Sequence, residues 1–204
     1  MKLRNIKKYE KNQKQKIINY PPCFSYMVKV VLGGTFEYLH AGHSRLIERA
    51  FLILKESGGG FVHIGLTSDE MTQKKSHAVS DYETRKKEIE KQANHLIQKY
   101  GLLGDCFLIT KLNDPIGPAA SEDFDFIVIS PETRSGAEKI NQIRKENGRS
   151  EIQICEVDFV MAQDNIPISS TRIYKGEIDK YGRIQRQLNQ HNNPSKNQNK
   201  KTEK

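Results

Sequence analysis

Residues 28–43, Val-Lys-Val-Val-Leu-Gly-Gly-Thr-Phe-Glu-Tyr-Leu-His-Ala-Gly-His, constrain this chain more than any other stretch. A short β-branched run ends in Gly33-Gly34-Thr35-Phe36, and five residues after Thr35 comes His40-Ala41-Gly42-His43, opening an amphipathic helix. The pattern predicts a strand, a tight turn and a helix. It sets two imidazoles and several backbone N–H groups beside a helix N-terminus, at the carboxyl end of a first strand. The partial positive charge of a helix end suits a polyphosphate, and glycine lets the backbone approach it closely. The stretch reads as a nucleotide site.

The rest of the chain alternates strand and helix. Strands are predicted at Val28–Leu32, Phe61–Leu66, Cys106–Thr110, Phe126–Ser130 and Ile152–Val157. Helices are predicted at Ser44–Lys55, with Leu46, Ile47, Ala50, Phe51 and Leu54 on one face, at Asp81–Tyr100 and at Glu132–Asn147. A helix start is expected at Thr67-Ser68-Asp69-Glu70, and a last helix begins around Ser169–Thr171. Repeated βα units imply an α/β fold with a doubly wound parallel sheet, whose ligand crevice lies outside the strands' carboxyl ends. Gly33–Thr35, Thr67-Ser68-Asp69 and Ser130-Pro131-Glu132-Thr133-Arg134 all fall on that one edge.

Charge separates the folded part from its extensions. The 204 residues carry a net charge of +8, of which residues 1–19 hold +6, residues 183–204 hold +5, and residues 20–182 hold −3. Both ends are rich in Lys, Asn and Gln, with too few apolar residues to offset their ordering entropy, so disorder is expected over 1–20 and 186–204. A single domain is expected over 27–182, and Met27, directly before the first strand, is a candidate start. An N-terminal peptide upstream of Met27 in the natural protein excludes that start. Cys23, Cys106 and Cys155 are widely spaced with no CxxC pair, which reads as reduced thiols in a cytoplasmic protein. No apolar run has the length of a membrane span, and the charged N-terminus lacks a signal peptide's hydrophobic region.

Each motif admits a plainer reading beside the functional one. His40 and His43 are a surface residue and a helix cap, a fragment of a zinc site, or donors aimed at a phosphoryl group. Ser169-Ser170-Thr171-Arg172 after Ile168 is an N-cap cluster, or a cradle of hydroxyls, amides and one guanidinium for a terminal phosphate. Lys74 and Lys75 are a solvated pair or phosphate ligands. Arg85, near the capping candidates Ser80 and Asp81, is a surface helix arginine or a site residue; Arg134, beside Ser135-Gly136-Ala137, has the same two readings. The absence of GxxxxGK[ST] excludes P-loop chemistry, and the absence of GxGxxG argues against a dinucleotide-dependent dehydrogenase.

Gly34-Thr35-Phe36 with His40-Ala41-Gly42-His43, and Ile168-Ser169-Ser170-Thr171-Arg172, resemble the HxGH and ISSTxx signatures of the nucleotidylyltransferase superfamily. Within it, the chain is most similar to phosphopantetheine adenylyltransferases of the archaeal and eukaryotic type. Gly65-Leu66-Thr67-Ser68-Asp69-Glu70-Met71, Lys74-Lys75, Asp114-Pro115-Ile116-Gly117-Pro118, and Ser130–Ala137 running on to Asn141 carry that narrower likeness. The resemblance covers roughly residues 28–176 and implies a Rossmann-like nucleotidylyltransferase fold. It also implies transfer of AMP from ATP to 4′-phosphopantetheine, giving dephospho-coenzyme A and pyrophosphate, with Mg²⁺ carried by the substrate phosphates rather than by a protein cage.

The same resemblance implies residue roles. His43 would stabilise the pentavalent α-phosphoryl transition state, with His40 on the ATP phosphates and Lys74 on the attacking phosphate. Gly33, Gly34, Thr35 and Phe36 would line the place where the two substrates meet. Ile168, Ser169, Ser170, Thr171 and Arg172 would hold the β- and γ-phosphates, Arg134 and Gly136 would lie near the nucleotide, and Thr67 and Arg85 would face the acceptor. Thr133-Arg134-Ser135-Gly136-Ala137 lacks the double glycine common in eukaryotic relatives. Three other readings stand beside this one: a sister enzyme using CTP and an alcohol phosphate or ATP and nicotinamide mononucleotide, a degenerate regulatory nucleotide-binding domain, against which His40, His43, Lys74 and Ser169 count, and a nucleic-acid binder acting through the basic tails. The −3 core counts against the last.

Overall fold

A computed structural model describes residues 27–73 and 78–185. The disorder expected at 1–20 and 186–204, Cys23, and the Lys74-Lys75 pair lie outside the described residues. The strands are β1 (Val28–Gly34), β2 (Gly60–Thr67), β3 (Phe107–Leu112), β4 (Phe126–Ile129) and β5 (Gln153–Glu156). The α-helices, here α1 to α5, are Ala41–Glu56, Asp69–Thr72, Tyr82–Tyr100, Arg134–Glu146 and Ser170–Tyr174. Short 3₁₀ turns occupy Glu37–Leu39, Gly117–Ala120 and Pro131–Thr133.

All strand pairs are parallel, in the order β3-β2-β1-β4-β5. The order reverses direction between β1 and β4, and an open sheet of this type leaves a crevice at that switch point. Residues alternate along each strand between two cores. Val30, Leu32, Val62, Ile64 and Leu66 pack with α1 and α3 on one face, while Val31, Ile127 and Ile129 pack with Ala137 and Ile140 of α4 on the other. The predicted doubly wound α/β architecture is the observed one.

Packing, more than capping, holds α1 in place. Leu46, Ile47, Phe51, Ile53 and Leu54 are buried on it. Each contributes about 1.5–3 kcal/mol, against about 1 kcal/mol for a helix cap. On α3 the stripe Ile89, Ala93 and Leu96 does the same, and Gly101, with a φ of 63°, ends the helix in a left-handed cap. A third, small core of Ala162, Ile168 and Ile178 packs on Ala41 and Ile173. It docks α5 beside the start of α1, where the Ala41 N–H donates to the Lys180 carbonyl at 2.9 Å.

Boundaries moved where tertiary contacts reward a longer ladder. β1 runs past Leu32 to Gly34 because Gly33 and Gly34 pair with Gly65 and Leu66 of β2. Likewise β3 runs past Thr110 to Leu112, pairing with Leu66 and Thr67, and the Leu112 side chain lies against the Cα positions of Gly33, Gly65 and Gly117. Among the described residues Cys106 and Cys155 are free thiols, and no helix is long and apolar enough to cross a membrane.

Gly60 opens β2 with φ 154°, and a Cβ there would stand 2.2 Å from the Val28 carbonyl oxygen. Gly60→Ala is expected to destabilise the fold by about 3 kcal/mol, the upper range for overpacking. Gly104→Ala, which meets nothing within 4 Å, should be neutral. Chemical denaturation of both variants checks the contrast.

Candidate active site

The chain leaves β1 through a turn of unusual backbone. Phe36, Tyr38 and Leu39 have φ of 52°, 60° and 29°, left-handed values that side chains disfavour. Phe36 is nevertheless 1% exposed, its ring packed beneath Gly34 and edge-on to His43 at 5.3 Å between centroids. His40 ends the turn in extended conformation and caps α1, its Nδ1 accepting the His43 N–H at 3.4 Å. The rings of His40 and His43 then stack at 3.7 Å and 20°. A Cβ on Gly42 would lie 3.1 Å from His40 Cε1. Glycine between the histidines is therefore what admits the His40 ring.

His40 is buried, and burial alone pushes its pKa from 6.5 down to about 4. A neutral ring accepting at Nδ1 carries its proton on Nε2. Of the first three amides of α1, those of Ala41 and His43 already donate to Lys180 and His40. The expectation of several open amides at this helix end is thus narrowed.

Behind the turn lies a buried guanidinium. Arg85 of α3 is 2% exposed. Its Nη1 donates to the carbonyls of Thr35 (3.1 Å) and Thr67 (3.0 Å), its Nε to the Ser80 carbonyl (2.7 Å), and its Nη2 to Asp69 Oδ1 (2.8 Å). Arg85, expected to face the acceptor, binds the ends of β1 and β2 together through these donors. Thr35 and Thr67, whose hydroxyls meet at 3.3 Å, remain on the rim above it.

The Ile168–Arg172 segment reaches the same rim with fewer open groups than expected. The Ser169 hydroxyl caps α5 by accepting the Arg172 N–H at 3.4 Å, and the Ser170 hydroxyl donates to the Glu37 carbonyl at 3.0 Å. Thr171 is exposed. Arg172, expected on a phosphate, pairs with Asp164 and with Glu177 (3.0 Å) and donates to the Ile166 and Pro167 carbonyls. Carboxylates thus stand on both sides of its guanidinium.

Across the switch point, Arg134 begins α4 and donates to Glu156 at 2.7 Å. Gly136 sits in the first turn of α4 with open space where a Cβ would be. Thr133 gives α4 no side-chain cap. Lys74 lies outside the described residues. A separate groove of about 1100 Å³ between α1, α3 and residues 156–160 holds none of the predicted residues and lies on the outer flank of α1.

The residue the sequence did not single out is Glu37; Ser80 and Asp69 were read as a capping candidate and part of a helix start, not as its partner and that of Arg85. Glu37 is 2% exposed, and its carboxylate accepts the Ser80 N–H (3.0 Å) and hydroxyl (2.9 Å). One signal pointed to it: a lone carboxylate between Phe36 and Tyr38 in a turn assigned to phosphate binding.

The depressed pKa of His40 has a stability consequence. The unfolded chain takes up this proton below about pH 6.5 and the folded chain only near pH 4, so the contribution is present above pH 6.5 and is lost as the pH falls. Between pH 7 and 5 the loss is about 2 kcal/mol. Urea unfolding should show that much extra acid sensitivity in the parent relative to His40→Gln; equal sensitivity contradicts a buried neutral ring.

The cytidylyltransferase-like family matches residues 31–176. A phosphopantetheine adenylyltransferase of Methanosarcina barkeri is 53% identical over 165 residues, covering 79% of this chain and 96% of the relative. That of Archaeoglobus fulgidus is 43% identical over 157 residues, covering 77% and 99%. A crystal structure of a protein of unknown function from Archaeoglobus fulgidus is 37% identical, with a TM-score of 0.54, over 64% of this chain and 90% of that one. With its parallel sheet, its stacked histidines at the end of β1 and these likenesses, the chain belongs to the phosphopantetheine adenylyltransferases of the cytidylyltransferase-like family.

Proposed function

We propose that the protein transfers AMP from ATP to 4′-phosphopantetheine, giving dephospho-coenzyme A and pyrophosphate, a step of coenzyme A synthesis in the cytoplasm. The observation that carries the reading is the pair of stacked imidazoles at the β1–β4 switch point, in a chain 53% identical to a phosphopantetheine adenylyltransferase.

The acceptor phosphate attacks the α-phosphorus in line, and pyrophosphate leaves. The acceptor brings its own nucleophile, so the protein's work is positioning and charge stabilisation. His43 donates to the α-phosphoryl oxygens as charge grows on them. His40, held neutral by burial, orients His43 through the ring stack and the capping bond and presents its Nε2–H toward the ATP phosphates. Thr35 and Phe36 with Gly33 and Gly34 form the floor between the substrates, and Thr67 and Lys74 lie on the acceptor side. Ile168, Ser169, Ser170 and Thr171 flank the β- and γ-phosphates, with Arg172 bracing their turn from behind. Arg134 and Gly136, at the start of α4, are assigned to the nucleotide. Among the described residues no three His, Cys, Asp or Glu side chains converge. Mg²⁺ would be held by the oxygens of the ATP phosphates, neutralising their charge, while the hydroxyls, imidazoles and amides of the site donate to those phosphates.

Pyrophosphate release from MgATP should depend on 4′-phosphopantetheine, with dephospho-coenzyme A as product; CTP and nicotinamide mononucleotide serve as controls. Turnover only with another acceptor would replace the substrate and leave the transfer chemistry. His43→Ala should lower turnover by about two to three orders of magnitude, the scale for one transition-state donor. A fully active variant would remove this mechanism.

A further inference from the structure

We propose that Glu37 is a positioning residue for the transfer reaction, a role that rests on the activity proposed above: its buried carboxylate locks the strained turn carrying Phe36 and the two histidines. The geometry forms a closed ring. Arg85 Nη1 holds the Thr35 carbonyl at 3.1 Å and Arg85 Nε holds the Ser80 carbonyl at 2.7 Å. Ser80 returns to Glu37 through its N–H at 3.0 Å and its hydroxyl at 2.9 Å. Glu37 is two residues from Thr35, so the ring closes on the turn itself. Its own carbonyl accepts the Ser170 hydroxyl at 3.0 Å, which ties α5 to the same point.

Three considerations turn this geometry into a role. First, a turn with left-handed Phe36, Tyr38 and Leu39 persists only where its surroundings over-determine it. Two hydrogen bonds from one residue of another segment supply that constraint. Second, both carboxylate oxygens have partners and the residue is 2% exposed, so Glu37 does not reach the reacting atoms. Third, a carboxylate beside a site for phosphates works against binding them. Its presence there is accounted for by the position it holds, the two donors offsetting its desolvation. A shift of the turn carries His40 and His43 with it, since His40 follows Glu37 by three residues and caps α1.

The test compares Glu37→Ala, Glu37→Gln and Ser80→Ala by steady-state kinetics and by hydrogen exchange without substrate. Glu37→Ala should lower kcat about 100-fold, the scale for a misplacement near 1 Å, while KM for ATP moves much less. A glutamine can accept the Ser80 N–H and donate to its hydroxyl oxygen, so Glu37→Gln should restore most of kcat. Adding Ser80→Ala to Glu37→Ala should cost little more than Glu37→Ala alone, because the two groups act as a unit. Amide exchange at residues 36–40 should quicken in Glu37→Ala and not in Glu37→Gln, whether or not the acceptor has been identified correctly. A parent enzyme silent with 4′-phosphopantetheine would therefore count against the proposed function alone. The positioning role is overturned by parent-like kcat in folded Glu37→Ala, or by unchanged exchange at the turn. It is equally overturned if glutamine is as damaging as alanine, which would make charge the operative property. If Glu37→Ala does not fold, Glu37→Gln with parent-like kcat and Ser80→Ala with reduced kcat sustain the role, and the reverse pattern ends it.

Discussion

The guanidinium of Arg85 is the interaction on which the rest of the site depends. A parallel sheet ends at its carboxyl edge in carbonyls that have no further strand to bond. Those of Thr35 and Thr67 would lie at the bottom of a phosphate site, where oxygen dipoles repel an anion. Arg85 Nη1 takes both, and its Nη2 and Nε draw in Asp69 and the Ser80 carbonyl. One planar fork thus joins β1, β2, α2 and the start of α3. Removing one partner from such a buried array typically costs about 3–5 kcal/mol. Lysine, a point donor on a flexible stem, cannot span four directions at once.

Above that floor the fold positions the two histidines by two devices. The reversal of strand order between β1 and β4 opens the crevice, with α1 and α4 beginning on its sides. The left-handed turn after Phe36 then swings His40 into the cap of α1 and brings the His43 ring over it. Strain at Phe36, burial at His40 and the missing Cβ at Gly42 belong to one solution for placing two rings 3.7 Å apart. Across the rim, the arginine expected on a phosphate, Arg172, braces the turn before α5 through Asp164 and Glu177. Positive charge is abundant here, and much of it holds protein to protein.

The architecture was legible because periodicity reports burial directly. Val30 and Leu32, Leu46 to Leu54, and Ile89 to Leu96 appear in the sequence as the faces they form in the core. The ends of elements were less legible. Lys111 and Leu112 look like loop until their pairing with β2 is known, and the helix predicted from Ser44 begins at Ala41, with the His40 ring as its cap. Arg85 was read by residue type rather than by position. It stands four residues before Ile89, on the stripe of Ile89, Ala93 and Leu96, and that register marks it as buried. Arg144 repeats the lesson at the end of the Ala137 and Ile140 stripe, where it donates to the Ser150, Ala119 and Glu122 carbonyls. The histidines and the Ser169–Thr171 hydroxyls were recognisable from spacing. The pairing of Glu37 with Ser80 was not, since it spans 43 residues and leaves no periodic trace.

The most direct measurement of this account is residue-resolved hydrogen exchange in Arg85→Lys. If the fork assembles the rim, exchange should rise at residues 35–40 and 67–69 and stay at parent levels in the sheet centre around Val62 and Ile64. Parent-like exchange at the rim, or an equal rise throughout the sheet, would contradict the claim that one buried guanidinium organises the site.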